Sequence, residues 1–277
     1  MQRANEQVLP AGSMDRAEPA LPRALRAGGL IAFYLALVAA WEVLFPIFGV
    51  PAYIVPVPSM ILKSLHNGIF VGHYLQDLGI TLTEMLSGFG IAVVLGVSIG
   101  ALIVEFQFVE KVIYPLIVAL QSLPKIALAP LILIWVGFGI ESKITMAALV
   151  AFFPMLVNTI SGLRAYDHDM HELFRSLSAS RWQRLWHLKV PSALPFIIAG
   201  LDVSFIFALL GAIVGEFVGS SAGLGYAIVQ LQYQFDTAGV FAILVLLAVI
   251  GVTGHTIIGW LGRRAAFWQA SGSRDRR

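Results

Sequence analysis

There is no cysteine among the 277 residues, so neither a disulfide framework nor thiolate chemistry is available to the chain. Charge is scarce: 12% of residues are Asp, Glu, Lys or Arg, about half the roughly 25% usual in soluble domains. The net charge of +2 is too small to mark a nucleic-acid partner. No G-x-x-x-x-G-K-[ST] loop occurs, so ATP handled in a P-loop is expected on another chain. The six histidines show no metal-ligand spacing; His168 and His171 stand beside acids and read as solvated, and no metal is expected. No paired nucleophile and base stands out within an apolar segment, which argues against an intramembrane enzyme. No inverted repeat is visible, which weakens the main alternative, an ion-gradient-driven secondary transporter or channel.

What the chain has instead is apolar length. Hydrophobic residues make up 58%, against roughly 45–50% in soluble domains, which predicts an all-α integral membrane protein. Six spans are placed at 28–48, 80–104, 112–136, 143–163, 195–218 and 238–261, each near the roughly 20 residues needed to cross a bilayer. Residues 1–27 read as a polar tail, 28–261 as the transmembrane domain and 262–277 as a basic tail. The first apolar stretch lacks a small-residue cleavage site and is expected to be retained. Pro124 and Pro130 predict a kink or break in the third span. Before the second span, Ser59 is placed to cap a short surface helix carrying Met60, Ile61, Leu62 and Leu65.

Charge asymmetry gives an orientation. With a cytoplasmic N-terminus, fifteen of the eighteen Lys and Arg fall on the cytoplasmic side; Lys63 and Lys143 fall outside and Lys125 within the third span. Both termini and the loop between the fourth and fifth spans are then cytoplasmic. Small residues recur every four positions: Gly88, Ala92, Gly96 and Gly100 on one span; Gly200, Ser204, Ala208 and Ala212 on another, with Gly211, Gly215 and Gly219 beside them. Such stripes let helix backbones approach closely, so these residues are assigned to helix packing; a sliding face is the competing role.

The central loop, 164–194, holds Arg164, Arg175, Arg181, Arg184 and Lys189 against Asp167, Asp169 and Glu172. Two short helices are predicted in it. Asp169 with Glu172 has the shape of an N-terminal cap, and Ser180-Arg-Trp-Gln183 fits a capping box. Trp182, Leu185 and Trp186 fall on one helical face. Pro191 and Pro195 are expected to stop the helix.

This loop resembles the cytoplasmic coupling loop of ABC-importer permeases, with the pattern Glu-Ala-Ala, three residues, Gly, nine residues, Ile-x-Leu-Pro. Glu172 stands at the Glu, Leu173 and Phe174 at the alanines, Ser178 at the Gly, Leu188 at the Ile and Val190-Pro191 at the Leu-Pro. Ser178-Ala179 thus takes the place of a turn where glycine would supply positive φ at low cost. Further stretches are similar to the nitrate/sulfonate/taurine branch of that family: Leu123 to Pro130 continuing to Gly139, Ala151-Phe-Phe-Pro154 with Asn158, and Glu216-Phe-Val-Gly219 followed by Gly223-Leu-Gly225-Tyr226. Asp202 departs from it, standing where a basic residue is common. The resemblance covers roughly 50–260. It implies a permease subunit in a bacterial cytoplasmic membrane, paired with a second permease subunit, the simplest being another copy of itself. It also implies an external solute-binding protein and cytoplasmic ATPase subunits that hold ATP and Mg, with no cofactor on this chain and a small anion such as a sulfonate, taurine or nitrate as solute. The residues expected to couple to the ATPase are Glu172, Ser178, Ala179, Ser180, Trp182, Gln183, Leu185, Trp186 and Pro191.

Four residues are candidates for the solute path: Lys125, Asn158, Asp202 and Glu216. Lys125 lies between two prolines inside a span, where an ionisable group is costly and needs a function or a partner. Glu216 lies about 32 Å along the fifth span from Pro195, where an interfacial or structural carboxylate is the favoured role.

Overall fold

The computed structural model describes residues 23–265, and every regular element among them is helical. Residues up to Val50 form one compact unit and those from Pro51 onward another. The first unit contains α1 (Arg23–Ile47), so the helix begins four residues before the expected end of the polar tail. The rest of that tail, and the basic tail beyond residue 265, lie outside the described residues.

The second unit opens with α2 (Pro58–Phe70) and α3 (Tyr74–Glu105). Val57, not Ser59, takes the capping position of α2, because Pro58 suits the first helical position, where no N–H is needed. α4 (Gln107–Gln121) and α5 (Ala129–Val136) form the third span. They are separated by a 3₁₀ turn at Lys125–Leu128 and bent by 88°. The cause is the one expected: Pro124 sits at the break and Pro130 opens α5. α6 (Ile140–Arg164) leads into the central loop and its short helices α7 (His168–Ser176) and α8 (Arg181–Arg184). α9 (Val190–Gly219), α10 (Leu224–Tyr233) and α11 (Thr237–Ala265) complete the chain. Among the described residues five helices are long and apolar enough to cross a membrane, and the bent pair, counted as one span, brings the number to six.

The core is a three-helix cluster of α3, α6 and α9, with α6 packed closely on both others through the small-residue stripes. Gly88 faces Ala147, Gly96 faces Met155 and Gly100 faces Thr159, so α3 and α6 run parallel. Gly200 faces Asn158, Gly211 faces Ala147 and Gly215 faces Lys143, so α9 runs antiparallel to α6. A Cβ on Gly211 would lie 2.7 Å from the Ala147 Cα, which leaves room for no other residue without separating the helices. α11 lies against α9, with Gly254 on the Phe205 ring and Gly262 on Ile198.

Candidate functional site

In the central loop the first helix is capped by Asp167 rather than by Asp169. The Asp167 carboxylate accepts the N–H groups of Asp169 (2.8 Å) and Met170 (3.5 Å). The reason is local: the chain leaves α6 at Ala165, and Asp167 already has extended dihedrals, so the helix starts two residues earlier. Glu172 is consequently too far along to cap α7 and stands exposed on its surface near Arg175 and Ser176. His171 is half-buried against the Tyr166 ring, at 5.2 Å between centroids, rather than freely solvated. Burial first, then the cations Arg184, Lys189 and Arg175 and the neighbouring His168, hold its pKa below the ordinary imidazole value.

α7 ends where the motif's glycine would stand. The Ser178 N–H donates to the Arg175 carbonyl and the Ala179 N–H to that of Phe174, the two bonds of a Schellman turn. Ser178 adopts φ +55 to make it. A left-handed conformation costs an L-residue about 1–2 kcal/mol, partly offset in glycine's case by its greater unfolded-state entropy. Ser178→Gly is therefore expected to be neutral to stabilising, by up to about 1 kcal/mol. Thermal unfolding of the purified subunit checks this, and a lowered midpoint would mean that the Ser178 side chain contributes beyond the turn.

The capping box at Ser180 is complete: Gln183 N–H donates to the Ser180 hydroxyl (3.2 Å) and Ser180 N–H to the Gln183 side-chain oxygen (2.8 Å). The expected apolar face divides. Leu185 is buried with Leu163 and Ala193, while Trp182 and Trp186 remain 68% and 60% exposed. Leu185 packs inward, and the backbone takes up the change as a π-helical turn at Leu185–Lys189. The same turn overturns the expectation that Pro191 ends the helix. Pro191 follows directly on the π turn, a local change of hydrogen-bond register that accommodates its missing N–H, and the Ser192 hydroxyl donates to the Leu188 carbonyl. Arg181–Gly219 is thus one run of 39 helical residues. Two ion pairs tie the loop to the spans: Lys189 with Glu105 at the end of α3, and Arg164 with Glu110 on α4 at 2.6 Å. Met170, Leu173 and Leu177 of the same loop are exposed as well.

At the far end of the bundle lies a buried polar cluster that the sequence pattern did not bring together. The Glu216 carboxylate accepts the Thr81 hydroxyl (2.6 Å) and the Gly225 N–H. Thr81 accepts the Leu224 N–H and Asp77 the Gly223 N–H, both at 2.9 Å. The first N–H groups of α10 are thereby held by side chains of α3 and α9. Gly223, at φ +105, must be glycine: the left-handed backbone disfavours a side chain, and a Cβ would strike the Glu216 carboxylate. Lys143, assigned to the side away from the central loop, is enclosed in protein at this end of the bundle. Its ammonium donates to the carbonyls of Phe138 (2.7 Å), Gly139 (3.2 Å) and Gly219 (2.6 Å), with Glu84 and Glu216 as neighbouring charges. Glu216 itself is buried, 1% exposed. The available signal was positional: Thr81 and Glu84 continue the stripe of Gly88 and Ala92 toward the start of α3, so they share its packed face.

The other path candidates lie elsewhere. Lys125, at the bend of the third span, donates to the Gln121 carbonyl (3.2 Å) and lies 4.6 Å from the Phe153 ring centre. Asn158 sits in the α6–α9 seam, its amide on the Pro154 carbonyl. Asp202 meets His255 of α11 at 2.8 Å.

A polytopic helical bundle with an apolar-faced loop locked onto one of its spans defines a membrane transport subunit rather than a soluble enzyme. The family model described as the binding-protein-dependent transport system inner membrane component matches residues 92–267, and the chain belongs to that family: it is an ABC-importer permease subunit of the inner membrane, a transport component and not an enzyme. It is 37% identical over 229 residues to the formylaminopyrimidine transport permease protein ThiX of Halalkalibacterium halodurans, covering 82% of this chain and 90% of that one. It is 33% identical to the riboflavin transport system permease protein RibX of Chloroflexus aurantiacus (88% and 91% covered) and 33% identical to the putative aliphatic sulfonates transport permease protein SsuC of Bacillus subtilis (85% of each). An inward-facing crystal form of the MetNI methionine ABC transporter shares the fold at TM-score 0.63 and 19% identity, covering 69% of this chain and 95% of that chain.

Proposed function

We propose that this chain is one of two permease subunits flanking a solute path, driven by ATPase subunits seated on residues 164–194 and supplied by an external binding protein. On this reading both termini and the central loop are cytoplasmic, the second permease subunit is another copy of this chain, and ATP and Mg are held by the ATPase. The observation that carries the reading is the continuity of α8 with α9. A partner that grips Trp182 and Trp186 moves a helical rod that crosses the whole bundle, since a π turn and two proline-containing turns do not interrupt it. Met170, Leu173 and Leu177 add further exposed apolar side chains to the same charged loop, and apolar groups exposed on a charged surface mark protein contacts. ATP-driven uptake by vesicles holding permease, ATPase and binding protein tests the reading. Uptake that persists without the ATPase, driven by an ion gradient, would replace it with the secondary-transporter alternative.

The solute is read as a small anion. An anionic group on it is supported by Lys125, a positive charge at the break of a span, where unwound segments border transport paths. Sulfonate, taurine and nitrate remain the proposed anions. Lys125→Ala is expected to raise the KM for taurine uptake about tenfold, the loss of one charge-assisted contact, with the complex still assembling. Unchanged uptake by an intact complex would assign Lys125 to stabilising the bend through Gln121 and Phe153. A second reading, a nitrogen heterocycle of the kind named for two of the relatives, is favoured by the Asp202–His255 pair.

A further inference from the structure

α9 has 30 residues and α11 has 29. At about 1.5 Å per residue each is roughly 45 Å long, so Asp202 and His255 lie within roughly 6 Å of their midpoints. A hydrocarbon core about 30 Å thick, centred on these helices, places both groups deep within it. The pair is not packed away: the side chains keep 33% and 68% of their exposure. It also borders a cleft of about 430 Å³ walled by Val203, Ile206, Phe207, Gly251 and Val252. An ionisable pair at mid-membrane depth does not face lipid tails; such groups face the interior of an assembly or a water-filled cavity.

We propose that this cleft is a solute-contact site that recognises N–H donors carried on a flat, apolar or aromatic body, such as an aminopyrimidine. The inference rests on the permease reading and names the chemistry that one part of the path selects. The cleft has the make-up of a small-molecule site: a volume above about 300 Å³, apolar walls and a few polar groups at one place. The hydrogen bonds fix what those polar groups offer. Nδ1 of His255 lies 2.8 and 2.9 Å from the two carboxylate oxygens of Asp202. A carboxylate only accepts, so Nδ1 carries the proton. The free lone pairs of Asp202 remain as acceptors. No Lys or Arg lines the cleft. The carboxylate oxygens suit N–H groups and disfavour an anionic group at this point, so a solute bearing both keeps its anionic end elsewhere. Gly251 leaves the floor open: a Cβ there would meet only Ile206, at 3.4 Å. Phe207 supplies an aromatic wall.

The chain has no cysteine, so Val252→Cys introduces a single thiol on the cleft wall. The permease is reconstituted with its second copy and ATPase in vesicles and treated with a charged, membrane-impermeant methanethiosulfonate. The thiol is expected to react, and 4-aminopyrimidine to slow the reaction, while pyrimidine and ethanesulfonate leave it unchanged. Adding Asp202→Asn is expected to raise the protecting concentration about tenfold, as for one lost charge-assisted hydrogen bond. Val203→Cys repeats the measurement should the first variant assemble poorly. A thiol that never reacts in either variant means that lipid or the second copy covers the face, and the inference falls. Equal protection by pyrimidine reduces the cleft to an apolar surface and also overturns it. ATP-driven uptake by the wild-type vesicles is scored separately, so an importer with an unreactive cleft sinks only this inference, and a reactive, protected cleft without ATP-driven uptake sinks only the permease mechanism.

Discussion

Glu216→Ala is expected to unfold the loop-distal end of the bundle. The carboxylate holds the Thr81 hydroxyl and the Gly225 N–H, and it neighbours the buried Lys143 ammonium. Its removal leaves a buried N–H without an acceptor and withdraws a counter-charge from a lysine only 2% exposed. Breaking a buried charged set by deleting one member costs about 3–5 kcal/mol, because the remaining charge is stranded away from water. Glu216→Gln, which keeps an acceptor and the shape, is expected to cost less than half as much. Glu84→Gln supplies the contrast. Glu84 shares one lysine with Glu216 and hydrogen-bonds to it, while its Oε2 has no partner, so an amide that keeps the shape and a donor toward Glu216 is expected to cost little. Thermal unfolding of the three variants in one detergent, with limited proteolysis of residues 219–224, gives the order. A wild-type midpoint and intact loop in Glu216→Ala would show that the cluster holds nothing together.

The second large effect is expected at the tryptophans of the central loop. Trp182→Ala and Trp186→Ala together are expected to strip the ATPase from the membrane. Aromatic anchors buried at an interface contribute about 2–4 kcal/mol each, so losing two weakens docking by at least roughly a thousandfold. The permease itself is expected to fold normally, since both rings are exposed and Leu185, not they, packs into the bundle. Glu172→Ala is expected to act more weakly, uncoupling hydrolysis from uptake or loosening docking. Its carboxylate no longer has a capping role inside α7, so a basic group on the partner is what it is left to meet. Co-purification of the ATPase and uptake per ATP hydrolysed measure both. Wild-type stoichiometry and wild-type coupling in the double tryptophan variant would remove this loop from the mechanism.

The sequence by itself determined everything that depends on near neighbours. Apolar length set the spans, Pro124 and Pro130 set the broken third one, Ser180 with Gln183 set the start of α8, and the four-residue recurrence of small side chains set the packed faces of α3 and α9. Each is a short-range rule: a missing N–H, a cap three residues away, or a face repeated every turn. Even some local signals were decided elsewhere. Pro191 does not end its helix, because Leu185 is drawn into a core with Leu163 and Ala193 and the backbone takes up the slack as a π turn. What only the tertiary structure decided is which distant polar groups meet. Thr81, Lys143 and Glu216 stand on three different helices, and Asp202 and His255 are 53 positions apart. A small-residue stripe says that a helix is approached closely, but not by which partner or in which register, and a shift of one turn would separate every one of these pairs. Packing chose the register, and with it where the bundle closes on its own charges and where it leaves an ionisable pair open at mid-depth.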